Sequence, residues 1–268
     1  MDHPMEGTAD QLRSLIPQRN ALLILGVQRT GTTLLAKDIA SLGFMGTPGE
    51  HVLKVISGDM TDDLRWASFA ALGAQSGGGT FAVTLMMNYL SLFGKWLDPN
   101  LPGGQTEAAQ QTVYDDRAMR FFLDRLDTTT VVTLHRAALW EVAYSTWRVS
   151  VTNQYHATGP DIQLGGRKVT WRASDPIPID PPAILLCLNM IIRSYQQIDA
   201  LLARHGITPV RLTYDEVVGE FPSYLRRVMI SAGYGDRDEN TASRQMTKLV
   251  DPDKLAKAKK AVAAYLGL

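Results

Sequence analysis

Ala21-Leu22-Leu23-Ile24-Leu25-Gly26-Val27-Gln28-Arg29-Thr30-Gly31-Thr32-Thr33-Leu34-Leu35 decides the fold. Its first seven residues are a continuous apolar run, the pattern of a strand buried on both faces. Over 32–42 the period changes: Leu34, Leu35, Ile39 and Leu42 recur at helical spacing, and Gly43 stands where a left-handed C-cap belongs. The stretch reads strand, glycine turn, helix. Residues 26–33 nearly spell G-x-x-x-x-G-K-[ST], a turn in which backbone N–H groups and a helix N-terminus converge on a phosphate-like oxyanion. Gly31 permits close approach, and Thr30, Thr32 and Thr33 offer hydroxyls. Thr32, however, occupies the lysine position. A nucleotide kinase or NTPase needs that lysine on the β- and γ-phosphates, together with Mg²⁺. Here the cation is Arg29, inside the turn.

Outward from this corner, 81–86, 130–134 and 209–212 read as further short strands, separated by helical segments. Ile184, Leu188, Ile191, Tyr195, Ile198 and Leu202 line one face of a long helix ending near Gly206. Pro222 opens another, with Leu225, Val228, Met229 and Ala232 on its face, and 252–265 closes the chain as a Lys/Ala-rich helix. Strands alternating with helices predict an α/β protein of three layers, P-loop-like, with a central parallel sheet flanked by helices. The absence of repeats and of a low-complexity linker predicts one domain over 1–268. Its N-terminus near 1–18 reads as disordered or loosely packed. Residues 73–79 and the proline-rich loop near 153–182, with Pro160, Pro176, Pro178, Pro181 and Pro182, read as irregular.

Composition narrows the function classes. Lys and Arg total 27, matching 27 Asp and Glu, and zero net charge excludes a broad basic face wrapping nucleic acid. A single cysteine, Cys187, excludes an internal disulfide framework and a multi-cysteine metal site. Five scattered histidines without an H-E-x-x-H pattern make no metal centre, so no metal is expected. The first twenty residues carry Asp2, Glu6 and Asp10 without an apolar core, unlike a secretory signal. The longest apolar stretch, 183–192, is interrupted by Asn189 and is too short to span a bilayer. The expectation is a soluble cytoplasmic protein.

A second anion-binding point has its own rationale. Arg136 follows Val131-Val132-Thr133-Leu134 and so emerges at a strand's carboxyl end, where open α/β sheets bind ligands. Ser145 lies about two turns into the next helix, and a guanidinium with a hydroxyl makes a terminal-phosphate clamp. Arg136 could equally cap a helix or pair with Glu141, and Ser145 could be an ordinary helix residue.

The motifs together resemble a family. Gln28-Arg29-Thr30-Gly31-Thr32-Thr33-Leu34-Leu35 resembles the 5′-phosphosulfate loop of the sulfotransferases that use 3′-phosphoadenosine-5′-phosphosulfate (PAPS). Gly79-Thr80-Phe81-Ala82-Val83, with Met86 and Asn88, resembles the second-strand segment of the bacterial carbohydrate branch, whose members sulfate trehalose and related glycolipids. Residues 131–145 resemble the 3′-phosphate element, and Pro209-Val210-Arg211-Leu212-Thr213-Tyr214-Asp215-Glu216 the late strand with its Tyr-Glu/Asp motif. The resemblance implies donor contacts from Gln28, Arg29, Thr30, Gly31, Thr32 and Thr33, and from Arg136 and Ser145. It also places Tyr214 near the adenine and lets Arg244 help hold donor or acceptor.

Gly43-Phe44-Met45-Gly46-Thr47-Pro48-Gly49-Glu50 resembles the family's Gly-x-x-Gly-x-Pro-x-Glu segment, which makes Glu50 the implied base and Arg29 the group assisting the leaving phosphate. His51 is the alternative base, because histidine titrates near neutral pH. Trp171, in the proline-rich loop with Arg167, Lys168 and Arg172, is the tryptophan expected near an acceptor. The implied reaction moves a sulfuryl group from PAPS to a hydroxyl of a small carbohydrate or glycolipid, without nucleic acid or a membrane span, and leaves room for a homodimer. A P-loop kinase or NTPase and a non-catalytic, degenerate nucleotide-binding relative are the alternatives. Thr84 stands where many members of the branch carry lysine, Tyr195 where tryptophan is common, and Ala137 and Ala138 where charge is usual.

Overall fold

The computed structural model describes residues 20–57, 79–98, 106–124, 126–152, 162–164, 167–169, 178–244 and 252–268. In chain order the elements are β1 (Asn20–Gly26), α1 (Thr32–Ser41), α2 (His51–Ser57), β2 (Thr80–Met86), α3 (Met87–Leu97), α4 (Glu107–Leu123), β3 (Thr128–His135) and α5 (Leu139–Thr152). There follow β4 (Ile162–Leu164), β5 (Arg167–Val169), α6 (Pro181–Arg204), β6 (Val210–Thr213), α7 (Tyr214–Gly219), α8 (Leu225–Ser231), a 3₁₀ turn (Glu239–Thr241) and α9 (Pro252–Leu266). The described residues divide into two compact units, one drawn from 1–137 and 193–247, the other from 138–192 and 248–268.

The first unit is built on a four-stranded sheet ordered β2-β1-β3-β6, and every neighbouring pair is parallel. The unbroken apolar run of β1 follows from that order: Leu23 pairs with Val83 on one side and Val131 on the other, with both sheet faces covered. One face carries Leu22, Ile24, Ala82, Val132 and Leu134 against Leu35 and Ile39 of α1 and Leu225, Val228 and Met229 of α8. Alternation puts Phe81 on the opposite face, where it meets Phe122 of α4 with ring centroids 6.3 Å apart. Phe93 of α3 packs edge-on against Phe121 at 5.3 Å. The two helices cross so closely that a Cβ on Gly94 would lie 1.9 Å from the Tyr114 carbonyl oxygen.

The strand order also decides where a ligand can bind. The chain leaves β1 towards β2 on one side and leaves β3 towards β6 on the other. Adjacent strands whose exits diverge open a crevice at their carboxyl ends. Residues 27–31 and Arg136 both stand there.

β2 is an edge strand, yet its residues are all buried. The segment after α1 covers it: the Thr84 N–H donates to the Gly49 carbonyl at 2.8 Å, and Gly46 lies flat against the strand. A Cβ on Gly46 would come 2.6 Å from the Thr80 carbonyl oxygen, and its φ of 79° is itself a glycine conformation. This cover strip ends at Glu50.

The second unit holds α5, the antiparallel pair β4–β5, the first half of α6 and α9. On α9, Leu255, Ala258 and Val262 are buried, while Lys254, Lys257, Lys259 and Lys260 face water, as their spacing predicts.

Two readings of the proline-rich stretch are corrected. Ile162-Gln163-Leu164 and Arg167-Lys168-Val169 pair as strands where irregular chain is expected; the Gly165-Gly166 dipeptide between them is the hairpin signal. Pro181 and Pro182 begin α6 rather than end a loop, with the Asp180 carboxylate accepting from the Ala183 N–H at 3.1 Å. Proline tolerates the first helical turn, where its missing N–H costs no bond. The N-terminal segment near 1–18, residues 73–78 and Trp171 lie outside the described residues. No helix among the described residues is long and apolar enough to cross a membrane.

Candidate active site

The turn after β1 is shaped by two left-handed residues. Gly31, at φ 102°, is the N-cap of α1, and no side chain caps that helix end. Arg29 has φ 67° and is the non-glycine residue with positive φ among the described residues. Such a conformation costs about 1–3 kcal/mol and persists where surrounding contacts over-determine it. Thr30 supplies one: its hydroxyl donates to the Val27 carbonyl at 2.7 Å, closing the turn from inside. Gln28 supplies another, its amide donating to the Tyr89 hydroxyl of α3 at 2.7 Å. Arg136 supplies a third, with Nη1 donating to the Arg29 carbonyl at 3.4 Å.

The three threonine hydroxyls expected at the oxyanion are thus reduced. Thr30 is turned inward and fully buried, and the buried Thr32 hydroxyl faces Met86 Sδ at 3.9 Å. Thr33 remains half-buried at the mouth of α1. The donors the turn directs at an anion are backbone N–H groups, the helix end and the Arg29 side chain.

Glu50 belongs to the same place. Burial raises its carboxyl above the ordinary glutamate range, and the Arg29 charge pulls it back down, so the two side chains sense one another. A half-buried carboxylate beside a guanidinium can accept a proton from a hydroxyl, while the guanidinium stabilises charge on a departing oxyanion.

His51, the alternative base, is occupied otherwise. It is buried at the start of α2, its Nε2 lies 2.9 Å from the Thr47 carbonyl, and its ring folds over Gly49 so closely that a Cβ there would be 2.8 Å from Cε1. A carbonyl partner requires the Nε2–H tautomer. His51 secures the strip that presents Glu50.

At the end of β3 the alternation separates neighbours: Arg136 is buried and His135 exposed. The Arg136 N–H donates to the Tyr195 hydroxyl at 3.0 Å, and the His135 ring lies 4.5 Å from the Tyr195 ring. The Arg136 guanidinium lies over the Tyr214 ring, 4.2 Å from its centroid. Ser145 is a half-buried residue of α5, in the second unit.

Arg244 is placed in a different role from the donor-holding one implied by resemblance. Its Nη2 donates to the Asp38 carboxylate at 2.7 Å and also to the Val217 carbonyl; Nη1 donates to the Val218 carbonyl at 2.9 Å. Tyr224 donates to the same Asp38 oxygen at 2.8 Å. Burial and then the Asp38 charge push the Tyr224 hydroxyl far up, which keeps it a donor. This cluster ties α1 to the end of α7. It has no sequence signal beyond a buried-face aspartate on α1.

Among the described residues no group of three or more His, Cys, Asp or Glu could hold a metal ion. No protein-family model matches the sequence, and no curated protein matches it. The sulfotransferase domain of the Synechococcus PCC 7002 olefin synthase is similar in structure at 14% identity, with a TM-score of 0.46, over 89% of this chain and 83% of that one.

Proposed function

We propose that the protein is a sulfotransferase that moves a sulfuryl group from PAPS to a hydroxyl of a carbohydrate or glycolipid. The observation that carries this reading is the convergence on Arg29. A strained arginine in a phosphate-type turn senses the Glu50 carboxylate and has its carbonyl held by a second arginine, Arg136. The motif order along the sequence, which resembles that of the family, supports the same assignment.

In this reading the donor's phosphosulfate lies on the turn and the α1 N-terminus. The acceptor oxygen attacks sulfur, the S–O bond to the phosphate breaks, Arg29 stabilises the charge left on that phosphate, and Glu50 takes the hydroxyl proton. Tyr89 fixes Gln28 beside the turn. Arg136 is assigned to the donor's 3′-phosphate. Trp171 is assigned to the acceptor.

Calorimetric titration with adenosine 3′,5′-bisphosphate in metal-free buffer tests the donor class. Tight binding that chelator leaves unchanged is expected, together with transfer of labelled sulfate to a sugar panel. A Mg²⁺-dependent preference for ATP would replace this reading with a kinase or NTPase. Bisphosphate binding without transfer to any hydroxyl acceptor would leave a non-catalytic nucleotide-binding module. Arg29→Ala should lower turnover by about 10²–10³ at saturating donor.

A further inference from the structure

We propose that Tyr214 is a positioning residue: its ring sets the distance between the Gly31 turn and the Arg136 guanidinium, and thereby the spacing of two anionic groups on one ligand. The proposal deepens the donor reading above and rests on it. It differs from the adenine contact implied by resemblance, since the ring acts through the turn and the arginine.

A capped helix end and two ring contacts fix the side chain. Tyr214 is the first residue of α7, and a reciprocal capping box holds that helix end: Thr213 Oγ1 accepts from the Glu216 N–H at 3.2 Å, and Glu216 Oε2 accepts from the Thr213 N–H at 2.6 Å. The ring edge abuts the turn, so that a Cβ on Gly31 would lie 2.6 Å from Cδ2 and 2.8 Å from Cε2. One ring face carries the Arg136 guanidinium at 4.2 Å. Tyr214 is 7% exposed and Arg136 8%, so this stacking is largely withdrawn from water.

The geometry leaves the ring poorly suited to stack on a base. It suits a spacer. Arg136 is held at its backbone by the Tyr195 hydroxyl and at its guanidinium by the Tyr214 face and the Arg29 carbonyl. Removing the aromatic face while keeping bulk frees the guanidinium to swing without emptying the turn. The consequence is selective: a ligand that engages only the turn keeps its affinity, and one that bridges turn and Arg136 loses it. Phenylalanine retains the face and the edge on which the spacing depends.

The test compares adenosine 3′,5′-bisphosphate with adenosine 5′-phosphate on the wild type, Tyr214→Phe and Tyr214→Leu by calorimetry, with thermal melts to establish folding. The wild type should prefer the bisphosphate, and Tyr214→Phe should keep that preference within about twofold. Tyr214→Leu should reduce it by roughly 5–30-fold, with monophosphate affinity close to wild type. Tyr214→Met supplies the same comparison if the leucine variant fails to fold. An unchanged preference in the leucine or methionine variant overturns the proposal. So does an equal loss for both nucleotides, or a phenylalanine variant as impaired as leucine, which would assign the effect to the hydroxyl and not to the ring. If the wild type itself binds neither nucleotide, the donor reading has failed, an outcome visible before any variant is made.

Discussion

Arg136 and Arg244, both of the first unit, lie over aromatic rings, Arg136 at 4.2 Å from the Tyr214 centroid and Arg244 at 4.4 Å from that of Phe221. Their surroundings set them apart. Arg244 grips a fully buried carboxylate, Asp38, and the carbonyls at the end of α7. Arg136 leans on a carbonyl of the phosphate-type turn, at the carboxyl end of β3 where the sheet's exits diverge. A guanidinium tied to a buried carboxylate holds elements together; one facing a turn at a strand's carboxyl end is placed for an incoming anion. The same contrast separates two sequence neighbours. Glu50 senses Arg29, while His51 is tied to its own strip through the Thr47 carbonyl.

The largest effect expected from this contrast is on Glu50. Glu50→Gln keeps shape and loses basicity, so turnover should drop roughly 10²–10⁴-fold while bisphosphate binding survives. His51→Ala should instead lower the melting temperature and spare the acidic limb of the pH profile. Loss of that limb in the histidine variant alone would reverse the assignment. A base works when ionised, so kcat/KM should fall as pH drops through the raised Glu50 pKa. Arg29→Ala removes the charge that pulls this pKa down and should move the limb to higher pH; a limb that stays in place separates the two residues.

Next in size is the structural arginine. Arg244→Met leaves the buried Asp38 carboxyl without its cation, and should destabilise the fold by about 3–5 kcal/mol in denaturant titration. Adding Asp38→Asn should restore much of that loss, while donor binding by the folded protein stays intact. Arg136→Ala should show the reverse pattern. Bisphosphate affinity falls about 10–100-fold, as for one charge-assisted contact, with a small change in stability. Equal behaviour of the two variants would dissolve the contrast.

The smallest effect concerns a buried acid in neither class. Asp115 of α4 has its carboxyl pushed up to about 7 by burial, with Arg204 pulling it down and Asp116 pushing it up. The folded protein therefore binds a proton that the unfolded chain releases near pH 4, and stability falls as pH rises from roughly 4 through about 7. Asp115→Asn should flatten that slope and gain about 1 kcal/mol at pH 8, or some 2–4 °C in Tm. A variant whose slope matches wild type would show that another group titrates.

Much of the fold was legible because its signals are local. The apolar run 21–27 reads as a two-sided strand and the period change after Gly31 as a helix. The prolines at 181 and 182 misled because proline at a helix start and proline in a loop look alike until the N-capping Asp180 is weighed. Within the site, Arg29 and Gly31 announced themselves by position in the turn. The inward rotation of the Thr30 and Thr32 hydroxyls did not, because a hydroxyl's direction depends on which acceptor lies nearest.

The sequence by itself determined the strands of the parallel sheet, the helix after the turn and the phosphate-type turn, since each follows from spacing within about ten residues. Only the tertiary structure decided which groups share the site. The strand order β2-β1-β3-β6 carries Arg136 back to the carbonyl of residue 29, more than a hundred positions earlier, and the strip along β2 brings Glu50 within range of the Arg29 charge. It also set Arg244 against the Asp38 carboxylate. Contacts of that kind depend on the order in which strands pair, and hydrophobic patterning along a chain specifies which face is buried without specifying the neighbour that buries it.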